Sequence, residues 1–349
     1  MKSGARSIAL ALALLGLSAT PSIQALGLAG STATAAESAV VFMYHRFGEA
    51  EYPSANIRID QFEAQIDELR SGGYTVLPIP EILEKMRTGT DLPDRTVAIT
   101  IDDAYASVYA EAWPRLKKAG YPFTLFVATD PIDRANPGYM TWDQIRELQE
   151  SGVTIGSQTA SHPHLPDLDI ETVKIELDRS AGRLEAELGQ RPTLIAYPFG
   201  EYGLEIQKIV AERGYVAGFG QQSGVVHATS DRYGLPRFAL NETYGGIDRF
   251  RLTASALPLP IRDRVPADLI VTANNPPPFG FTVASEIGDP SRIDCYASGQ
   301  GRTQTEVLGD RVEVRLAEPF PAGRARVNCT MPGPEGRWRW YGIQFYIPR

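Results

Sequence analysis

From Ala39 to about Ala239, short apolar runs rich in β-branched and aromatic residues alternate with stretches whose apolar residues recur every third or fourth position. Short continuous apolar runs fit strands buried on both faces, and the helical period fits amphipathic helices laid across them. The runs expected as strands are Val40–Tyr44, Thr75–Leu77, Val97–Ile101, Phe123–Val127, Val153–Ser157, Thr193–Tyr197, Val216–Phe219 and Leu235–Ala239. Helix punctuation falls between them. Asp60, with Glu63 three residues on, is expected to cap a helix that buries Phe62, Ile66 and Leu69 and stops at Gly72-Gly73. Thr141 with Gln144 opens another that ends at Gly152. Leu177, Leu184 and Leu188 mark a longer helix closed by Gly189 and Pro192, and Gly120 and Gly214 end two more just before strands. Strand and helix alternating in this way predict a parallel sheet with crossover helices. Seven or eight such units predict a barrel that closes or nearly closes.

Beyond Leu252 the pattern changes. Pro258, Pro260 and Pro266 punctuate a connector, after which runs such as Val312–Leu316 and Ile343–Ile347 alternate with the period of a half-buried strand. The expected organisation is therefore a barrel over residues 37–252, a connector over 253–264 and a small β-sandwich domain over 265–349. At 349 residues the chain has room for both.

The N-terminus departs from both patterns. Met1-Lys2-Ser3 with Arg6 precedes an apolar run from Ile8 to about Leu17 and then small residues up to Ala36, the pattern of a secretory leader over residues 1–36. Cleavage is expected after Ala25 or within Ala33–Ala36. An uncleaved anchor is the lesser reading, since the run is too short to span a bilayer comfortably, and no permanent membrane span is expected. Export to the periplasm or the extracellular space follows. The two cysteines, Cys295 and Cys329, would then meet an oxidising compartment, where a disulfide is expected between them; two free thiols are the alternative.

The formal charge is -8, and no Lys/Arg run appears anywhere, which argues against nucleic acid as a partner. From Val265 to Arg349 nine acidic and nine basic residues balance, so the acidic excess lies upstream.

In parallel β/α barrels the reacting groups sit at the C-terminal ends of strands. There the sequence places His45, Asp102-Asp103, the stretch Gln158 to His164, Pro198-Phe199-Gly200 and Gln221-Gln222, with Arg237 inside the last expected strand. Three of the four histidines thus fall on one rim. Adjacent carboxylates at a strand exit point in different directions, so one can ligate a metal while the other acts as a base. His227 has no motif around it and reads as a loop residue.

Thr100-Ile101-Asp102-Asp103 resembles the first motif of the NodB-type polysaccharide deacetylase family. Ser157 to His162 resembles the second, normally His-Ser/Thr-x-x-His, and Ala196-Tyr197-Pro198-Phe199-Gly200 the third, usually Arg-Pro-Pro-Tyr-Gly. The matches come in family order and span roughly residues 39 to 240. The resemblance implies a distorted β/α barrel and hydrolysis of an N-acetyl amide on a glucosamine-containing polysaccharide or oligosaccharide, with a divalent metal such as zinc and acetate as product. Under it Asp102 is the general base, Asp103 and His162 are metal ligands, and the Phe199 backbone N–H faces the oxyanion, with Tyr197 and Pro198 on the substrate side. Tyr44-His45 resembles the Tyr-His of exported poly-N-acetylglucosamine deacetylases, a branch in which an N-terminal histidine can serve as the acid.

The departures from the pattern matter as much. Gln158 stands where the first histidine of the second motif is usual, and its neutral oxygen is a weaker zinc ligand than imidazole. Gln158, His164 or water remain as candidates for the third ligand. The third motif lacks its arginine, having Ala196; Arg237 can reach the base from the last strand or serve a structural ion pair. The late Leu-x-x-His motif that usually supplies the acid is absent, which leaves His45 for that role. Rival readings are a noncatalytic carbohydrate-binding protein on the same barrel, and a peptidoglycan or O-acetyl deacetylase. Trp338 and Trp340 share a strand face, where a core role is favoured over stacking on sugars.

Overall fold

One sheet of nine strands organises residues 38–239. Its parallel members are β1 (Ser38–Tyr44), β2 (Thr96–Asp102), β3 (Thr124–Val127), β4 (Thr154–Ser157), β5 (Leu194–Ala196), β6 (Ala217–Phe219) and β7 (Phe238–Ala239). They pair in the order β6-β5-β4-β3-β2-β1, with β7 parallel to β1 on its outer side. Thr75–Val76 runs parallel to the start of β2, and Val226–His227 antiparallel to the start of β1. Every residue of β2 is buried, as the continuous apolar run predicts for a strand covered on both faces. The computed structural model describes Met1 and residues 35–349; the expected secretory leader lies outside the described residues except for Met1 and the backbone of Ala35–Ala36. Among the described residues no helix is long and apolar enough to cross a membrane.

The sheet curls, and the segment around β7 draws its ends together. Leu235 forms a parallel bridge to Phe219 at the end of β6, while Phe238 pairs with Phe42 of β1. A few short contacts therefore make the closure, in a distorted and partly open barrel.

The helices follow their expected punctuation with one shift. Thr141 caps the helix Trp142–Glu150, its hydroxyl accepting from the Gln144 N–H while the Gln144 side chain accepts from the Thr141 N–H. Gly120 and Gly189 end their helices in the left-handed conformation that a Cβ disfavours. The first helix, Ile59–Ser71, starts before the expected cap: Arg58 is the capping position, and Gln61, in place of Glu63, reaches back to the Arg58 N–H. Asp60 lies in the first turn instead, where a negative charge suits the helix dipole, and pairs with Arg58.

After the helix Ile247–Ala254 the chain enters two further sheets. Leu257–Pro258, inside the stretch expected as a connector, runs parallel beside the strand Trp338–Ile347. That strand pairs antiparallel with Gly323–Pro332 in a five-stranded sheet. Ile261–Val265, Phe279–Val283, Arg311–Arg315 and Gln304–Leu308 form a four-stranded one. Phe281 and Val312 of the smaller sheet share a core with Val327 and Phe345 of the larger, and this core continues into Ile195, Ile206 and Val210 of the barrel. Cys295 and Cys329 face each other in register on adjacent strands and are joined by a disulfide. By chain entropy a bridge across such a separation contributes about 3–4 kcal/mol. Trp338 and Trp340 do not join this core, contrary to expectation. The core face of their strand belongs to Ile343, Phe345 and Ile347; Trp338 is exposed, and Trp340 packs edge-on against Phe238 of the barrel.

Candidate active site

Asp102 ends β2, and its carboxylate points inward to Arg237. The guanidinium donates to both oxygens, at 2.7 and 2.9 Å, and neither side chain is exposed. Arg237 also donates to the Gly220 carbonyl at 2.9 Å and the Thr100 hydroxyl at 3.1 Å. The Phe126 and Phe219 rings lie 5.5 and 6.0 Å from its charged carbon. A buried pair of charges is tolerable only when satisfied in this way. The residue that holds Asp102 thus comes from the closing segment, and Ala196, at the position of the usual third-motif arginine, is buried in β5.

Asp103 turns away at φ 72° and Ala104 at φ 53°, so the two adjacent carboxylates diverge. The Asp103 N–H donates to Gln158 Oε1 at 3.0 Å. Its Oδ1 is buried without a hydrogen-bond partner and lies 3.4 Å from His162 Nε2. His162 is held by a left-handed backbone, φ 59°, whose N–H donates to the Thr159 hydroxyl at 3.1 Å. Burial pushes the His162 imidazole pKa below its ordinary value, against the opposing pull of Asp103 and Asp102. Its neutral form, the one able to ligate a metal, is therefore favoured. Asp103, Ala104, Thr159, His162 and Phe199 make up five of the nine non-glycine residues with positive φ among the described residues. Strained backbone is thus concentrated on this rim, where turns aim side chains.

His45 follows β1 and brings Nε2 to 3.9 Å from Asp102 Oδ2. It therefore stands beside Asp102 on the same rim. Gln158 is wholly buried; its oxygen receives the Asp103 N–H and its Nε2 has no partner. His164 is tied elsewhere, with Nδ1 2.7 Å from Glu201 Oε2 and its ring stacked 4.2 Å from the Phe199 ring. Burial pushes the Glu201 pKa up, while His164 and Arg324 draw it down. Among the described residues no group of three or more His, Cys, Asp or Glu side chains gathers to hold a metal. Asp103 and His162 are two.

Phe199 adopts φ 58°, and its carbonyl accepts from Gln344 Nε2 at 3.0 Å, as does that of Gly200 at 2.9 Å. Gly200 must be glycine here, because a Cβ would lie 2.5 Å from the Gln221 backbone nitrogen. Pro198 is buried. Tyr197 is not on the substrate side as expected. It lies in the core stacked on Tyr202, and its hydroxyl donates to the Tyr233 carbonyl at 2.8 Å. Sequence reasoning missed Gln344, Glu201 and Glu176, whose carboxylate accepts the Ala160 and Ser161 N–H groups and so pins the turn before His162. Only Glu201 carried a signal, its place directly after the third motif.

Residues 89–218 match the family model described as polysaccharide deacetylase. YxkH of Bacillus subtilis (strain 168), which bears the same description, is 29% identical over 207 residues, 59% of this chain and 72% of that protein. The poly-beta-1,6-N-acetyl-D-glucosamine N-deacetylase of Staphylococcus aureus (strain MSSA476) is 26% identical over 213 residues, 58% of this chain and 73% of its own. Among solved structures, the IcaB of Ammonifex degensii superposes with a TM-score of 0.55 at 25% identity, over 63% of this chain and 98% of that one. The Streptococcus pyogenes deacetylase PplD, in complex with acetate, shares the fold with a TM-score of 0.58 at 24% identity, over 62% and 98%.

Proposed function

Because the chain matches the polysaccharide deacetylase family over residues 89–218 and is a hydrolase, we propose that it removes N-acetyl groups from a glucosamine-containing glycan with the help of a divalent metal ion, zinc in the first instance. The observation that carries this reading is the facing pair Asp103 Oδ1 and His162 Nε2. One is a buried oxygen without a partner, the other belongs to an imidazole favoured in its neutral form, and they stand 3.4 Å apart. Two donors each about 2.0–2.1 Å from a tetrahedral zinc stand roughly 3.3 Å from one another. Asp103 and His162 would hold the ion, with the Gln158 oxygen beside them as a neutral donor and water completing the set; His164, bound to Glu201, is the weaker candidate.

When bound, such an ion polarises the amide carbonyl and lowers the pKa of its water to about 7. Asp102 would take the proton from the attacking water through Oδ2, the oxygen that lies near His45. His45, adjoining Asp102, returns a proton to the departing amine, which leaves poorly without one. The Phe199 N–H, on a residue whose carbonyl Gln344 holds, would face the oxyanion, and losing such a donor typically costs about 3–4 kcal/mol. Export, periplasmic or extracellular, is part of the proposal and rests on the leader-like N-terminus. The name of the Staphylococcus aureus relative supports an N-acetylglucosamine polymer as substrate.

Gln158 at a ligand position favours one second reading, a barrel that binds glycans without cleaving them. The purified protein, analysed for metal and assayed for acetate release on acetylated chitooligosaccharide, poly-N-acetylglucosamine, peptidoglycan and O-acetylated xylan, decides between them. Stoichiometric metal with acetate released from a glucosamine polymer is expected. Glycan binding with neither metal nor acetate would establish the second reading.

A further inference from the structure

The five-stranded sheet has two faces of opposite character. Along Gly323–Pro332, Ala325, Val327, Cys329 and Met331 are buried in the core, while Arg326, Asn328 and Thr330 between them stay partly exposed. Residues paired in register share a face, so Tyr296, opposite Asn328, and Trp340, opposite Thr330, join the outer set, with Trp338 one step along the strand. This face looks across an open cleft of about 570 Å³ to Gln221 on the barrel rim and to Tyr244 and Arg249 on its far wall.

The lining is unusual for an acidic protein. Among the described residues no carboxylate lines the cleft, although the chain carries a formal charge of -8. Two arginines do. Arg249 lies 4.9 Å from the centre of the Tyr244 ring, and its buried Nε has no hydrogen-bond partner. Arg326 donates from Nε to Gln344 Oε1 at 2.9 Å. Burial disfavours both guanidinium charges, and no acid offsets that penalty. Around them Tyr244, Tyr296 and Trp338 are 47%, 46% and 39% exposed. Aromatic faces beside hydroxyl and amide groups suit the apolar face and polar edge of a sugar ring, and planar guanidinium groups suit carboxylates. The cleft also adjoins the catalytic rim, because the Gln344 that accepts from Arg326 donates to the Phe199 and Gly200 carbonyls.

We propose that this cleft binds an acidic sugar residue of a glycan chain, its ring against Trp338 and Tyr296 and its carboxylate on Arg249 and Arg326. The proposal rests on the deacetylase reading in taking a glycan as ligand, and it adds that the glycan carries uronate-type acid groups. Tetragalacturonate tests it on the intact protein, since it has no acetamido group to be hydrolysed. Its carboxyl-reduced counterpart is the neutral control, and calorimetry or tryptophan fluorescence reports binding. The acidic tetramer is expected to bind at least about tenfold more tightly than the neutral one, with the advantage shrinking as salt is raised. Arg249→Gln should remove most of that advantage, and Trp338→Ala should weaken both tetramers about tenfold. Equal binding of the two tetramers, or acid-selective binding untouched by both substitutions in folded protein, would overturn the proposal. Acetate release by the unaltered protein is read separately: acid-selective binding without it sinks the deacetylase reading and leaves the cleft standing, and the converse result does the opposite.

Discussion

Arg237 and Asp102 are 135 positions apart in the chain, yet they form a two-pronged ion pair at 2.7 and 2.9 Å with no solvent exposure on either side. Removing one partner of such a pair strands the other charge in the interior, which typically costs about 3–5 kcal/mol. Arg237→Met should therefore lower unfolding stability by about that amount in urea titrations, whereas Arg237→Met combined with Asp102→Asn should recover part of it. Arg237→Lys keeps a charge but loses the fork, so it should reduce turnover at temperatures where the protein remains folded. Stability unchanged in Arg237→Met would contradict the assignment.

The divergence of Asp102 and Asp103 leads to a separation of roles. Asp103→Ala and His162→Ala should each lower both bound metal and acetate release, and Asp102→Asn should retain metal while losing turnover. Metal analysis of the three variants after gel filtration checks this. Equal metal loss in all three would merge the roles.

His45 lies 3.9 Å from Asp102 Oδ2, near enough to join the proton traffic without being one of the facing donor pair. If it protonates the departing amine, His45→Ala should slow amide hydrolysis by roughly 10²- to 10⁴-fold. Hydrolysis of p-nitrophenyl acetate, whose leaving group departs without a proton, should fall far less. Parallel losses on both substrates would point to a positioning role instead, and loss of metal would make His45 a ligand.

Burial of His227 lowers its pKa to about 4, with Glu286 opposing the shift weakly. The unfolded chain takes up this proton near pH 6.5 and the folded protein only near 4, so the stabilisation is complete above pH 6.5 and drains away as pH falls towards 4. The upper bound of this effect is about 3 kcal/mol. His227→Gln should flatten the fall in melting temperature between pH 6.5 and 4, and a slope identical to that of the unaltered protein would reject the account.

Apolar runs, helix periods and caps such as Thr141 with Gln144 are interactions among residues a few positions apart, and these were legible along the chain. So was the rim. Strand ends locate Asp102, Asp103, His162 and His45 without knowledge of how the strands pair, because a parallel strand followed by a helix always delivers its last residues to the same end of the sheet. What depends on pairing was not legible. Whether Arg237 reaches Asp102 stayed open along the chain and was decided by the segment around β7, which bridges β6 and β1 in a register that no local pattern encodes. The attachment of His164 to Glu201, the Gln344 clamp on Phe199 and the burial of Tyr197 arise likewise from how separate elements meet. For Trp338 and Trp340, alternation put the two rings on one face, but which face turns to the core was decided when the second sheet covered Phe345 and left the tryptophans towards the cleft. Local chemistry thus determined the elements and the rim; the tertiary structure decided the partners, because the energy of a buried charge or ring depends on what packs against it and not on its neighbours in sequence.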